Sequence, residues 1–447
     1  MEKSCCPEQH HRSEISPLTV QLLTFKVIPF LCMEMELHIM GQSMSVPSSA
    51  PLSGIKVLDL SAYIAGPYGC SLLSDLGAEV IKIEPPAGDT LRKYPSTLEA
   101  ESRAFLGVNR GKTGLCLDLK KEAGYEVLIK LVQEADVLVH NFRPSVPPRL
   151  KIDYETLKQI NPRLIYCSMT GYGKTGPLAN KAGYDQVLQA RSGICASQGS
   201  KDQPEIVYGS AVDYYAAAMV SNGVTAALYQ RERSGQGQEV GVSLLGSALA
   251  MQSARLIMAE YEPKHIDRDM RSGGITGIHP TKSGHLYISA NTPHFWNALC
   301  TLSGVPDLAT NEKYDTVKKR AAHADEIVPV IRQALQAKTA LEWEEAFGVA
   351  VPCSAVRHVE DMFDDPQVAE QGFVVDLQHP KVGNYKGIAR LIKFSAEVNN
   401  TPPCAAPLLG EHSQSILRGL GYSDEQAQAL LDSGAVVAAD IATDSPT

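Results

Sequence analysis

The sequence holds no C-x-x-C pair among its ten cysteines, which stand singly or side by side in 447 residues. A zinc site on paired cysteines and a disulfide scaffold are both excluded on that ground, and the compartment expected is a reducing one, the cytoplasm. No stretch of 18 residues is apolar and free of charge. The nearest, Pro17 to Met33, is broken by Lys26 and followed by Glu34 and Glu36, so no membrane partner is expected. Basic excess is missing too: 41 Lys and Arg against 50 Asp and Glu leave a net charge of −9, which argues against a nucleic-acid partner. There is no G-x-S-x-G elbow, H-E-x-x-H or EF-hand loop, and the twelve histidines show no ligand spacing. No metal is expected.

With 44% hydrophobic and 20% charged residues the chain is nonetheless ordinary for a folded protein. Its length is about three typical domains. Residues 1–45 read differently from the rest: they carry one Arg (Arg12), three of the cysteines and no βα pattern, and Met44 opens a plausible soluble start. They are expected to be a disordered extension or a mis-assigned start, without targeting character.

From residue 54 strands and helices alternate. Ile55 to Leu60, Glu79 to Glu84, Leu115 to Leu119, Val137 to His140 and Leu164 to Met169 read as strands. Helical periodicity falls around Cys70 to Leu76, on Glu122 to Glu134 and on Tyr154 to Ile160. This alternation predicts an α/β fold with a parallel, doubly wound sheet. Ligands then sit at the carboxyl ends of the strands, in loops 61–68, 85–92, 109–114, 141–149 and 170–185. A long helix over Tyr214 to Arg231, a strand over Glu239 to Leu244 and a helix over Ala248 to Met258 follow. The expected layout is a large domain over 46–230, a linker with a glycine-rich loop over 231–279, a smaller α+β domain over 280–390, and a return to the large domain over 391–447. In the small domain, strands are expected at Leu286 to Ala290 and Phe373 to Gln378, and helices near 293–303, 318–337 and 340–347. The tail from Pro407 to Val437 reads as helical.

Two motifs mislead. Gly171-Tyr-Gly-Lys-Thr-Gly176 has the spacing of a dinucleotide loop, but Pro177 follows and no helix opens. The Gly-Lys-Thr triplets at 111–113 and 173–175 lack the earlier glycine of a Walker A loop, having Leu106 and Ser168 in its place. What remains is a set of basic and amide side chains at strand ends: Arg110, Lys112, Lys120, Asn141, Arg143, Arg149 and Lys181. Each alone is more often a solvated charge. Several on one sheet edge suit a polyphosphorylated ligand.

Pro51-Leu-Ser-Gly-Ile-Lys-Val-Leu-Asp-Leu60 with Ala65-Gly-Pro67 resembles the opening of class III CoA-transferases, the formyl-CoA:oxalate or carnitine (CaiB/BaiF) type. So do Leu76 to Glu84, Asn141 to Pro144, Gly171 to Pro177, Ala182 to Asp185, Gly235-Gln-Gly-Gln and Pro407 to His412. The match spans 51 to about 437 in consistent order. The resemblance implies a Rossmann-like large domain plus a small domain in an interlocked homodimer. It implies Asp213 as nucleophile, with the loop carrying Gly273 and Gly274 as a lid over the intermediates. It places coenzyme A against Ile64, Ala65, Leu117, Lys120, Asn141, Phe142, Arg143, Arg149, Lys181, Tyr184 and Asp185. CoA and acyl-CoA enter as substrates, with no permanently bound cofactor. Without the resemblance, Asp213 reads as an N-cap of the helix after it; the positive helix end also favours an ionised carboxylate there.

One departure stands out. Relatives often carry Arg directly after the second strand, where this sequence has Pro85, and Arg92 is the candidate substitute. The related α-methylacyl-CoA racemases have a His where Tyr184 stands. Phenols titrate near pH ~10, which ill suits α-proton abstraction, so transfer is expected over racemisation. The pattern is most like the branch using succinyl-CoA with a small dicarboxylate such as glutarate, or the sulfinate analogue 3-sulfinopropionate. Arg110, Arg191 and Arg271 are candidates for binding a second acid group.

Overall fold

In the computed structural model, residues 50–199, 202–262, 275–396 and 403–439 are described. The expectations for residues 1–45, and for Arg271, Gly273 and Gly274, lie outside them. Six parallel strands form the main sheet: β1 (Lys56–Asp59), β2 (Glu79–Glu84), β3 (Lys112–Leu117), β4 (Val137–His140), β5 (Ile165–Thr170) and β6 (Gln238–Ser243). They lie in the order β3-β2-β1-β4-β5-β6, and Val436–Val437 adds a seventh strand antiparallel to β3. All four residues of β4 and all six of β5 are buried. That is why these strands read as apolar runs, as a sheet covered on both faces requires.

Eight helices accompany the sheet: α1 (Ala65–Asp75), α2 (Arg103–Val108), α3 (Glu122–Glu134), α4 (Val146–Arg149), α5 (Tyr154–Ile160), α6 (Asp185–Ser192), α7 (Ala211–Ser234) and α8 (Leu244–Ala250). α3 follows its sequence pattern to the residue, burying Val127, Leu128, Leu131 and Val132 against one face. On the other face α1 packs against α7 closely. A Cβ on Gly69 would lie 2.9 Å from Val220 of α7. α8 departs from expectation, starting at Leu244 and ending at Ala250. The Ser243 hydroxyl at the end of β6 caps it at once by accepting from Gly246 N at 3.0 Å.

Beyond the sheet, β7 (Gly277–Pro280), β8 (His285–Ile288) and β9 (Cys353–Ala355) form an antiparallel sheet. Trp296, Leu299, Ile327, Ile331, Trp343 and Phe347 pack around it. The helix expected over 318–337 is two, Val317–Ala322 and Ala324–Leu335, broken where His323 leaves helical geometry. β10 (Val374–His379) and β11 (Gly383–Ile388) make a hairpin whose Tyr385 packs on a cluster with Leu91, Phe105 and Leu106. The tail forms helices Ser413–Gly419 and Asp424–Asp432, then ends as the strand on β3 rather than as helix.

Candidate functional site

Strand order reverses between β1 and β4, and the loops after these two strands flank the crevice where doubly wound sheets take ligands. Loop 61–64 is held from four directions. Asn141, at the end of β4, accepts from Ala62 N at 2.9 Å and donates its amide to Ala62 O at 2.6 Å. Asp59 accepts from Ser61 N at 2.9 Å, and Lys82 Nζ donates to Ser61 O at 2.5 Å. Asp89 Oδ1 accepts from Tyr63 N at 3.2 Å while its other oxygen pairs with Lys82 at 3.0 Å. The loop must also come very near α1, since a Cβ on Gly66 would sit 2.4 Å from the Ser61 side chain. Burial alone would raise the Asp59 carboxyl. Lys112 at 2.8 Å and Lys82 outweigh that and hold it at about 2.

A cavity of about 430 Å3 opens at this crevice. Of the residues expected at the site it brings together Ile64, Ala65, Asn141, Phe142, Arg143, Lys181, Tyr184, Asp185 and Asp213. α1 begins at its wall without a side-chain cap. Leu117 and Lys120 line a neighbouring cavity of about 260 Å3 with Leu60, Ile83, Pro85 and Leu150; Phe142 is a wall of both. Arg149 lines neither, and its Nε donates to the O of Ser145, the N-cap residue of α4. Gly171 and Gly183 explain how loop 170–185 folds back to bring Tyr184 here: a Cβ on Gly171 would lie 2.9 Å from the Gly183 Cα.

Three basic residues read as ligand-facing turn inward instead. Lys112 is buried on Asp59, Asn109 and the Pro67 carbonyl. Arg110 is 1% exposed and paired with Asp75 at 2.5 Å, away from the cavity lining, so it is not placed to meet a second acid group there. Arg92, the candidate substitute for an arginine at Pro85, clasps Glu84 through Nε and Nη2, both at 2.8 Å, and also pairs with Glu101. Arg191 lies near the Tyr172 ring at 5.9 Å and is not part of the cavity wall.

Asp213 is the third residue of α7, within its first turn rather than its N-cap; Ser210 holds the cap position with φ +61°. The cap itself comes from elsewhere. Buried Asp185, at the start of α6, accepts from Val212 N at 2.6 Å and Asp213 N at 3.0 Å, and is held by Gln189. No hydrogen bond to the Asp213 carboxylate is formed among the described residues. Burial first, and the Asp185 charge second, push the Asp213 carboxyl up to about 7. The α7 N-terminus acts in the opposite sense and is outweighed. Asp213 is therefore a carboxylate without bonded partners among the described residues, lining a cavity and with its pKa pushed up to about 7, a perturbation that marks a functional-site candidate.

Sequence reasoning missed the capping role of Asp185, which no local pattern signals, and the tyrosines Tyr63, Tyr94 and Tyr208 in the cavity wall.

The family model of CoA-transferase family III matches residues 52–413. The chain belongs to that family. Human succinyl-CoA:glutarate CoA-transferase is 32% identical over 86% of this chain and 90% of its own. Acetyl-CoA:oxalate CoA-transferase of Acetobacter aceti is 35% identical over 75% of this chain and 88% of its own. A crystal structure of a CaiB/BaiF family protein from Brucella suis superposes with TM-score 0.74 at 31% identity, covering 83% of this chain and all of that one. The family III assignment makes the chain a CoA-transferase, as the resemblance implied.

Proposed function

We propose that this chain moves CoA from succinyl-CoA to a small dicarboxylate, with Asp213 as the covalent nucleophile. The observation that carries the reading is Asp213 itself: a carboxylate free of hydrogen-bond partners among the described residues, in the cavity wall, with its pKa pushed to about 7. Among the described residues no cysteine lines that cavity to compete with it.

An ionised Asp213 oxygen attacks the thioester carbonyl carbon; the C–S bond breaks and CoA leaves as thiolate, giving an aspartyl–succinyl anhydride. The thiolate then attacks the aspartyl carbonyl, releases succinate and leaves an aspartyl-CoA thioester. The acceptor carboxylate reverses the sequence, so the thioester bond energy is retained throughout. Each attack builds an oxyanion. The uncapped start of α1 offers backbone N–H groups for it, a kind of donor whose removal costs on the order of 3 kcal/mol elsewhere. Asp185, by taking the N–H groups of Val212 and Asp213, fixes the nucleophile's backbone and keeps its carboxylate from bonding to its own helix end. The smaller, largely apolar cavity suits the adenine, and the exposed Lys120, Arg143, Arg149 and Lys181 suit the phosphates. We place the active form in an interlocked homodimer, as the resemblance implies.

The test is isotope exchange. With no second acceptor present, labelled succinate should enter succinyl-CoA, because the half-reaction through Asp213 is reversible. In parallel, a chiral 2-methylacyl-CoA incubated in deuterated water should keep its α-hydrogen, Tyr184 standing where a racemase has histidine. Deuterium uptake without label exchange would overturn the transferase reading.

A further inference from the structure

Among the described residues three besides glycine have positive φ: Tyr63 at +65°, Lys151 at +56° and Ser210 at +61°. For a bulky side chain this is a real outlier, and such strain collects at ligand clamps. Tyr63 and Ser210 both line the main cavity. The left-handed turn at Tyr63 sets its ring edge-on to Tyr184, centroids 5.7 Å apart at 74°. Tyr94, from the segment after β2, lines the same wall. Tyr63 is thus a strained residue spent on placing one phenol, with Tyr184 half-exposed beside it at 50%.

The cation expected for a second acid group is not supplied by the arginines that suited it from sequence. Arg110 is buried on Asp75, Arg191 is outside the cavity wall, and Arg271 lies outside the described residues. Resting on the CoA-transfer reading above, we infer that Tyr63, with Tyr184 beside it, is the specificity-determining group that hydrogen-bonds the distal carboxylate of the acyl chain through its phenol hydroxyl. A neutral donor serves here because charge-assisted hydrogen bonds to a carboxylate are strong in a partly dehydrated site. The phenol stays protonated in the working range: burial and the neighbouring Tyr184 raise it above its ordinary value, against a smaller lowering by Thr90.

The experiment compares two acceptors of equal carbon count, glutarate and valerate, with wild type and Tyr63→Phe at saturating succinyl-CoA. The substitution keeps ring, backbone and burial, and removes only the hydroxyl. The expected result is a fall in kcat/KM for glutarate on the order of 10- to 100-fold, as for a hydrogen bond to a charged group, with valerate changed by less than about threefold. Tyr184→Phe should shift the same ratio in the same direction. Equal losses for both acids would mean that the hydroxyl serves the CoA arm, and would overturn the inference while leaving CoA transfer intact. An unchanged ratio in an active variant overturns it as well. A wild type that transfers CoA to no acid at all defeats the functional reading, and this inference with it. A thermal melt of the variant matching wild type assigns any loss to recognition rather than folding.

Discussion

Replacing Asp213 by Asn should stabilise the protein while abolishing turnover, and the gain should grow with pH. The carboxyl titrates at about 7 when folded, raised first by burial and then by Asp185. In the unfolded chain it returns to its ordinary value near 3.8. A raised carboxyl binds its proton more tightly in the folded state, so stability is fully present at low pH and is lost as pH rises between those two values. At 1.36 kcal/mol per pKa unit the penalty comes to about 4 kcal/mol above pH ~7 and to about 1.5 kcal/mol at pH ~5. Both are upper figures, because the site keeps some water contact and solvent screens part of the charge. Asparagine carries no charge to desolvate, nearly matches the shape, and forfeits no bond, since the Asp213 carboxylate accepts none among the described residues.

The assay is urea unfolding of wild type and Asp213→Asn at pH 5 and pH 8, read by intrinsic fluorescence and circular dichroism together. Asn should win at both, with a gap roughly two to three times wider at pH 8, and label exchange into succinyl-CoA should vanish. A variant no more stable than wild type at pH 8, or a gap that does not widen, refutes the claim that a buried, like-charge-repelled carboxylate is stored here for catalysis.

Two further outcomes follow from the same geometry. In wild type, kcat/KM for the acyl-CoA donor should rise with pH through an apparent pKa near 7, since the proposed attack requires the ionised form of Asp213. Asp185→Asn removes the second cause of that shift and should move the midpoint to lower pH, whereas an unmoved midpoint in an active variant would show that the Asp185 charge does not act on Asp213. Lys112→Met should cost on the order of 3–5 kcal/mol in denaturant unfolding at pH 7, because it leaves fully buried Asp59 without its ion-pair partner; a loss below about 1 kcal/mol would mean that Lys82 and the Ser61 bonds suffice.

What could be seen in the sequence were elements whose reasons are local. β2, α3, β4 and α5 fall where the apolar periodicity puts them, since each buries its own stripe. β3 starts three residues before its apolar run because Lys112 and Thr113 belong to the strand, the lysine neutralised by Asp59 from β1. A partner 53 residues away leaves no local mark, and the same distance effect made Arg110 and Lys112 look like phosphate ligands. Asp213 is the sharpest case. Next to an apolar helix it reads as a cap, yet the cap is supplied by Asp185, 28 residues earlier, through a loop that can fold back only because Gly171 and Gly183 meet backbone to backbone. The family resemblance reached Asp213 without any of this. It could not reach Tyr63, whose backbone angle is set by contacts that converge from β1, β2 and the loops after β2 and β4.

Those contacts decide whether the strain at Tyr63 is sustained by the fold or would need a ligand to hold it. A left-handed non-glycine residue costs about 1–3 kcal/mol. Against it stand the two Asn141 bonds to Ala62, the Asp59 and Lys82 bonds to Ser61, and the Asp89 bond to Tyr63 N. At about 1 kcal/mol each, and more for the charged ones, these five exceed the strain even at its upper value. Asp59, Lys82 and Asp89 are themselves at most 2% exposed, so water competes little for their bonds. The loop is therefore set in its working shape before any ligand arrives. On the proposed reading, acyl-CoA meets an ordered wall on the β1 side and, on the α7 side, Asp213 fixed by Asp185 as the proposed nucleophile, so little of its binding energy is spent on ordering either.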